Sequence, residues 1–462
     1  MNMPAFPDGE HRSAKPASHS AGPPRDRPGR QPMKVLYVNS LYAPDIGGGA
    51  EVALSAMVQG FLQRGQEASI LTTHGGVGTL QEWVDGVPVH RIGQKNIYAH
   101  FPPKVRPAWA RMTWHALDSF NLAMRRQAAR VIDEIQPDLI VCHNLAGLSV
   151  AIWGLARQRK LPLVQVLHDY YTLCPSVTMF RRGSCCARPC RGCSLFRLPH
   201  RRASSAVGAV VGVSQSVLDI HLQQGLFAQA DMCAVVHNAC AMPLAKARQP
   251  RGRFTFGYIG GLTEIKGVER LAQAFQRLAT DRSLNMQLLI AGTGKDEHVQ
   301  RLKRTYASEQ ISFVGQVNPS EFFAQIDVCV VPSLWNEPLG LVVFEAIASG
   351  APVIGAQRGG IAEIIHHEVN GLLFEPNEAG ALEQAMVRLM RNPLLLESMR
   401  AAGRASVARF LDPQRMLDEY EDIYRRLLRR PVDVGRTDTT GLSVSHGASE
   451  RPDDPAASGA RP

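Results

Sequence analysis

The chain has 462 residues, 45% hydrophobic and 20% charged, a mix that folds around proper cores and excludes a disordered or fibrous protein. Its formal net charge of +10 suits an anionic partner (nucleic acid, lipid headgroups or phosphorylated small molecules) without choosing among them. No apolar run reaches the roughly 18 residues that span a bilayer. The N-terminal stretch has no apolar leader core, so the cytoplasm is the expected compartment, and nine cysteines there point to thiols or a metal rather than disulfides.

Residues 1–32 are rich in Pro, Gly, Ser and Arg without apolar periodicity and predict a disordered tail; 431–462 predict another. Between them, short apolar runs alternate with helical stretches, which predicts parallel sheets with helices on both faces. The first series is KVLYVNS (Lys34 to Ser40), ASILTT (Ala68 to Thr73), DLIVCHN (Asp138 to Asn144), LVQVLHD (Leu163 to Asp169) and AVVGVS around Val210. RQPRGR, 248–253, reads as a linker. A second series follows at Phe254 to Gly260, Met286 to Gly292, Ile311 to Gly315, Asp327 to Ser333 and Pro352 to Ala356. The expected architecture is α/β: two doubly wound, Rossmann-like domains, 33–247 and 248–412, facing across a cleft. A closing helix at 413–430 carries Met416, Leu417, Tyr420, Ile423, Tyr424, Leu427 and Leu428 on one face and is expected to pack back onto the body.

Ligands of such sheets sit beyond the carboxyl ends of the strands, so the strand exits are where chemistry is sought. After the first strand comes GGGAE, Gly47 to Glu51, which opens a helix. Glycines there let a backbone approach a phosphate or sugar, but the spacing is not a dinucleotide fingerprint, and a plain flexible turn fits equally well. After the strand at Phe254 lies YIGGLTEIKG, where Lys266 can face a diphosphate or simply be solvated. After the strand at Asp327 lies WNEPLGLVVFEAIASGAP. Glu337 falls on the loop, Pro338 and Gly340 lead into a helix, and Glu345 lies about a turn and a half inside it. Either the two carboxylates bind something, or Glu337 serves the helix dipole and Glu345 the surface. The apolar residues around Glu345 argue for burial and hence for a partner.

The run NEPLGLVVFEAIASGAPVIGAQRGGIAEIIHHEVNGLLFEP resembles the signature of the retaining glycosyltransferases of family 4, which have the GT-B fold. The E-x7-E spacing, the E-A-x-A-x-G-x-P-V run and the G-G-x-x-E loop occur in the family's order, and the resemblance extends over most of 33–430. It implies an N-terminal acceptor-side domain and a C-terminal domain that binds a nucleoside-diphosphate sugar. By that resemblance Glu345 would bind the donor ribose, Glu337 the transferred sugar and Lys266 the diphosphate, helped by backbone N–H groups near Gly340 and Leu341. Gly48 and Gly49 would lie close to the donor, and His168 would face the reacting sugar. The transfer implied is front-face with retention, charge on the leaving diphosphate being stabilised by Lys266 and dipoles, with no metal or other cofactor required. The family often has an arginine where this chain has Gly261; Arg358 is a substitute, or an exposed loop arginine.

HDYYTLCPSVTMFRRGSCCARPCRGC, His168 to Cys193, brings Cys186, Cys190 and Cys193 close to Cys174 and Cys185. A structural zinc and a set of reduced thiols fit it equally. Its basic residues Arg181, Arg182, Arg188, Arg191 and Arg197 suit an anionic acceptor or membrane surface better than nucleic acid, because aromatics do not interleave them. The segment Pro102 to Arg126 mixes Trp109, Trp114 and Phe120 with basic residues, as an interfacial helix does, although a helix packed on its own domain is the favoured reading. The expected function is transfer of a sugar to a polysaccharide-precursor, lipid-linked or other glycan acceptor, the enzyme being cytoplasmic with peripheral membrane contact as an added expectation. The alternatives are a nucleotide-sugar epimerase or hydrolase on the same architecture, and a basic nucleic-acid-binding protein that uses the cysteine patch.

Overall fold

Runs of Val, Ile and Leu too short for helices and apolar on both faces make parallel strands buried on both sides. The computed structural model of the chain describes residues 31–102, 104–244 and 252–429. The two expected tails, apart from Gln31 and Pro32, and most of the 248–253 linker lie outside them. The strands of the first lobe are β1 Lys34–Val38, β2 Glu67–His74, β3 Thr79–Val84, β4 Val87–Gly93, β5 Leu139–Cys142, β6 Leu163–Leu167, β7 Phe180–Arg181, β8 Ser184–Cys185, β9 Ala209–Gly212 and β10 Met232–Val235. Those of the second are β11 Phe254–Ile259, β12 Met286–Ala291, β13 Ile311–Gly315, β14 Val328–Val331, β15 Val353–Ala356 and β16 Gly371–Phe374.

The first sheet runs β10-β9-β6-β5-β1-β2-β4-β3, parallel throughout except for the antiparallel β3–β4 pair at its edge. The second runs β13-β12-β11-β14-β15-β16 and is wholly parallel. β7 and β8 form a separate two-stranded hairpin. Five strands had not been read from the sequence: β3, β4, β7, β8 and β10. The β3–β4 turn is Asp85-Gly86, with φ of 48° and 78°, the D-G pair of a tight hairpin.

One apolar cluster runs through both lobes, from Tyr37 and Leu54 under the first sheet to Val331, Trp335 and Phe344 on the inner side of the second; a second cluster fills the outer side of the second sheet. The last helix, Pro413–Arg429, crosses back to the first lobe. Tyr424 stacks on Phe61 with centroids 5.5 Å apart, and the Arg64 guanidinium donates to Asp418 at 2.8 Å and Glu421 at 3.3 Å. Gly60 leaves the space that Leu417 fills: a Cβ on Gly60 would stand 2.4 Å from Leu417 Cδ1. Leu417 is buried, so Leu417→Ala is expected to cost about 2–5 kcal/mol, read as a lower urea midpoint at unchanged slope.

Candidate active site

A doubly wound sheet offers a crevice where its strand order reverses. In the second lobe that point lies between β11 and β14, and both strand exits carry site candidates. Beyond β11, the turn Glu264–Lys266 ends at Gly267, whose φ is 73°. A Cβ there would stand 1.9 Å from the carbonyl oxygen of Pro332, so only glycine lets this turn lie against the exit of β14. Lys266 Nζ thereby donates to Glu337 Oε1 and sits 5.6 Å above the Trp335 ring. Glu337 is 4% exposed, and its own backbone is held from the far side: Gly360 N–H donates to Glu337 O at 2.7 Å. The neighbouring Gly359, φ 53°, comes so close that a Cβ would stand 2.1 Å from the same oxygen.

The chain then passes Gly340 into the helix Leu341–Ala348. Glu345 is half-buried on that helix and has no side-chain hydrogen bond or ion pair with any described residue. Burial pushes its carboxyl up from the ordinary value. From the other lobe, the glycine turn after β1 reaches the start of this helix: a Cβ on Gly49 would stand 2.6 Å from Leu341 Cδ1. Glu51 Oε2 accepts from Gly48 N–H at 2.8 Å and folds the turn, while the space over Gly48 is open to 4 Å. Thus the fold brings Lys266 to Glu337 and Gly49 to Leu341.

His168, beyond β6, has its contacts with a histidine the sequence reading had passed over. His143 Nδ1 and His168 Nε2 share a hydrogen bond of 2.8 Å, with the rings stacked 5.0 Å apart. Burial lowers His168 to about 4, and burial followed by His168 itself holds His143 well below its usual value. Next in the chain, burial raises the Asp169 carboxyl to about 6. His143 was legible in principle, since it directly follows β5, next to β1 at the reversal point of the first sheet.

Three contacts tie the lobes together at the loop after β14 and beside it. Tyr170 Oη donates to Asn336 O at 3.1 Å, and Cys185 Sγ to Leu334 O at 3.3 Å. Glu363, from the second lobe, accepts from Gln215 N–H at 2.8 Å and Ser216 N–H at 2.7 Å, which start a helix of the first lobe, and pairs with His237 at 3.2 Å. Burial pushes the Glu363 carboxyl up, but His237 and the two N–H donors outweigh it and hold it below the ordinary value. The glycine loop containing Glu363 was visible in the sequence; this use of its carboxylate across the cleft was not.

Other candidates fall differently. Arg358 is neither an exposed loop residue nor turned to Lys266; it is half-buried in a bidentate pair with Glu375 at 2.6 and 3.2 Å. At Gly261 a Cβ would meet nothing within 4 Å, so the place of the family's arginine is open space. Arg197 is no surface charge: it is buried over the Tyr171 ring at 4.4 Å, beside Asp118, which accepts from Tyr171 Oη at 2.8 Å. Burial raises Asp118 to about 6. In the helix Ala108–Ser119, Trp114 is buried and Trp109 is 70% exposed, so the two aromatics read together serve opposite faces.

The chain matches two family descriptions, "Glycosyl transferase 4-like domain" over residues 48–239 and "Glycosyl transferases group 1" over 253–392. Among curated relatives, an uncharacterized 42.6 kDa protein of the cps region of Klebsiella pneumoniae is 27% identical over 72% of this chain and 87% of its own. The N-acetyl-alpha-D-glucosaminyl L-malate synthase of Bacillus anthracis is 30% identical over 37% of this chain and 45% of its own, and the phosphatidyl-myo-inositol mannosyltransferase of Mycobacterium leprae 24% over 80% and 91%. Among solved structures, sucrose-phosphate synthase of Thermosynechococcus elongatus superposes with a TM-score of 0.67 at 19% identity, covering 85% of this chain and 99% of that one. HepE of Anabaena in complex with UDP gives 0.62 at 19% identity, over 85% and 100%. With both lobes matched in order and the fold shared, the chain belongs to the group 1, family 4-type glycosyltransferases of the GT-B fold.

Proposed function

We propose that the chain is a retaining hexosyltransferase that takes its sugar from a nucleoside-diphosphate donor. The observation that carries this is the convergence at the exits of β11 and β14: a cation, a buried carboxylate and a helix N-terminus meet there, with Glu345 half-buried and unpartnered behind them. A helix N-terminus and a lysine suit a diphosphate. Glu345 then takes the ribose hydroxyls, which supply the partner its carboxylate lacks. When the diphosphate draws Lys266, Glu337 is released toward the hydroxyls of the sugar. The C1–O bond to phosphate breaks, C1 bonds the acceptor oxygen on the same face, and the acceptor's proton goes to the departing phosphate oxygen. Gly48 and Gly49 give the donor room, and His168, neutral, offers the sugar a hydrogen bond rather than a charge.

The lobe 248–412 is the donor side in this reading and 33–247 the acceptor side. The names of the mannosyl and N-acetylglucosaminyl relatives support a hexose, and the UDP in the HepE structure supports a nucleoside diphosphate. Epimerase, hydrolase and nucleic-acid-binding readings have no comparable support; one arginine of the basic loop even turns inward. Lys266→Ala and Glu345→Ala are each expected to lower turnover by about 10²-fold or more, and to abolish the thermal shift that UDP or GDP gives the parent chain. Full activity in both variants overturns the assignment.

The neutral histidine pair has a pH signature. His168 is lowered to about 4 and His143 is held well below its usual value, whereas an unfolded chain protonates both near 6.5. The unfolded state therefore binds more protons between those values, and stability falls as pH drops from about 6.5 to about 4, by up to about 1.4 kcal/mol per pH unit for each histidine. Asp169, raised to about 6, works with the opposite sign, so the check is comparative. In urea unfolding across this range, His168→Gln is expected to flatten the acid slope by one histidine's share, and an unchanged slope contradicts it.

The acceptor side carries a face suited to a lipid-linked acceptor at a membrane surface. The helices Ala108–Ser119 and Arg191–Ala203 pack together through His115 and Phe196, with ring centroids 6.4 Å apart. They leave Trp109, Met112, Leu195 and Leu198 exposed among Arg111, Arg191, Arg201 and Arg202. No helix among the described residues is long and apolar enough to cross a membrane, so contact would be interfacial. The chain is expected to float with vesicles containing anionic lipid and to be released by salt, and Trp109→Ala with Leu195→Ala to weaken that binding while leaving UDP or GDP shifts intact.

A further inference from the structure

The cysteine excursion after β6 is not absorbed by sugar transfer. Cys190 Sγ lies 3.5 Å from Cys193 Sγ, and Cys193 Sγ lies 3.8 Å from Cys174 Sγ. A zinc ion holding thiolates at about 2.3 Å in a tetrahedron sets its sulfurs about 3.8 Å apart, so the second separation equals an edge of that tetrahedron and the first is somewhat shorter. Cys186 supplies a fourth sulfur from the same loop. Its backbone N–H is tied to Met179 O at 2.7 Å. Cys185, although adjacent in sequence, is turned away to Leu334 O. Geometry thus sets three thiols of the patch in contact, leaves Cys186 four residues before Cys190 in the same loop, and turns Cys185 to the loop after β14.

Among the described residues no three such groups are already closed around one centre. The Cys190–Cys193–Cys174 contacts are arranged as a chain of S–H···S bonds. Cys190 caps the helix Arg191–Ala203, and Cys193 lies in its first turn, so both are carried on one rigid element. Cys174 is fixed by its N–H to Tyr170 O at 2.8 Å. To complete the set Cys186 has to turn inward and the other three thiols have to close around the ion.

We propose that Cys174, Cys186, Cys190 and Cys193 form a structural zinc site that clamps the 174–193 excursion beside the donor loop. Binding makes four S–Zn bonds and releases the thiol protons to solvent, with no change of oxidation state. The site is closed, with no open coordination position, and so takes no part in the transfer chemistry. Its mechanical effect is on the β7–β8 hairpin, which lies between the four sulfurs in sequence and reaches Leu334 through Cys185.

The test is metal analysis of protein purified without a metal-affinity step. One zinc per chain is expected, lost in Cys186→Ser and in Cys193→Ser but kept in Cys233→Ser, which alters an exposed cysteine outside the patch. If a variant does not fold, the native chain answers instead: titration with a mercurial reagent should release zinc in step with four thiols. Chelation should also speed tryptic cleavage after the exposed Arg181 and Arg182. The proposal is overturned by protein that carries no zinc and takes none up under reducing conditions, by a Cys190–Cys193 disulfide in chain alkylated at lysis, or by folded Cys193→Ser that retains its metal.

Discussion

The ion pair of Lys266 with the buried Glu337 is the contact around which the second lobe is arranged. A carboxylate removed from water is costly unless a cation and hydrogen bonds answer it. Here the cation must come from a different strand exit, seventy-one residues away in sequence. That requires the turn after β11 to lie directly on the exit of β14, which the absent side chain of Gly267 allows. It also requires the loop after β15 to press on the backbone of Glu337, which Gly359 allows. Three strand exits are thereby fixed against one another before any ligand arrives, a preorganised arrangement for stabilising charge.

The cleft itself is held by few but directional bonds. Glu363 answers two backbone N–H groups at the start of a helix in the opposite lobe, the anion site that a helix N-terminus provides. Tyr170 and Cys185 each donate to carbonyl oxygens of the loop after β14. These contacts link the residues flanking Trp335 and Glu337 to the strand exit that bears His168. Whatever moves the first lobe is therefore felt at the loop carrying the buried carboxylate.

Much of this was legible in the sequence, and the part that was not has a common cause. The parallel strands showed themselves as apolar runs because both of their faces are covered. The placement of Glu337 on a loop and Glu345 on the following helix came from Pro338 and Gly340 alone. The edge hairpin was missed although Asp85-Gly86 announces it, because β3 is solvated and lacks an apolar run. Arg197 was read as one of a basic series, yet it shares a helix face with His200 three residues on and both are buried; its neighbour Asp118 belongs to another helix. The pairings of Lys266 with Glu337, His143 with His168 and Glu363 with Gln215 join elements from separate crossovers. Local periodicity carries no information about such partners, whereas strand order does.

The return of the final helix to the first lobe has a consequence for biosynthesis. The helix Gly49–Gln63 leaves the ribosome well before Leu417 and Tyr424, which cover Gly60 and Phe61. At ordinary elongation rates the interval is roughly 20–70 s. Through that time the nascent first lobe presents an uncovered apolar face, so a chaperone has a defined surface to hold. A chain released before residue 413 would lack the covering for its first lobe, made long before, and such termination would register as a defect of that lobe.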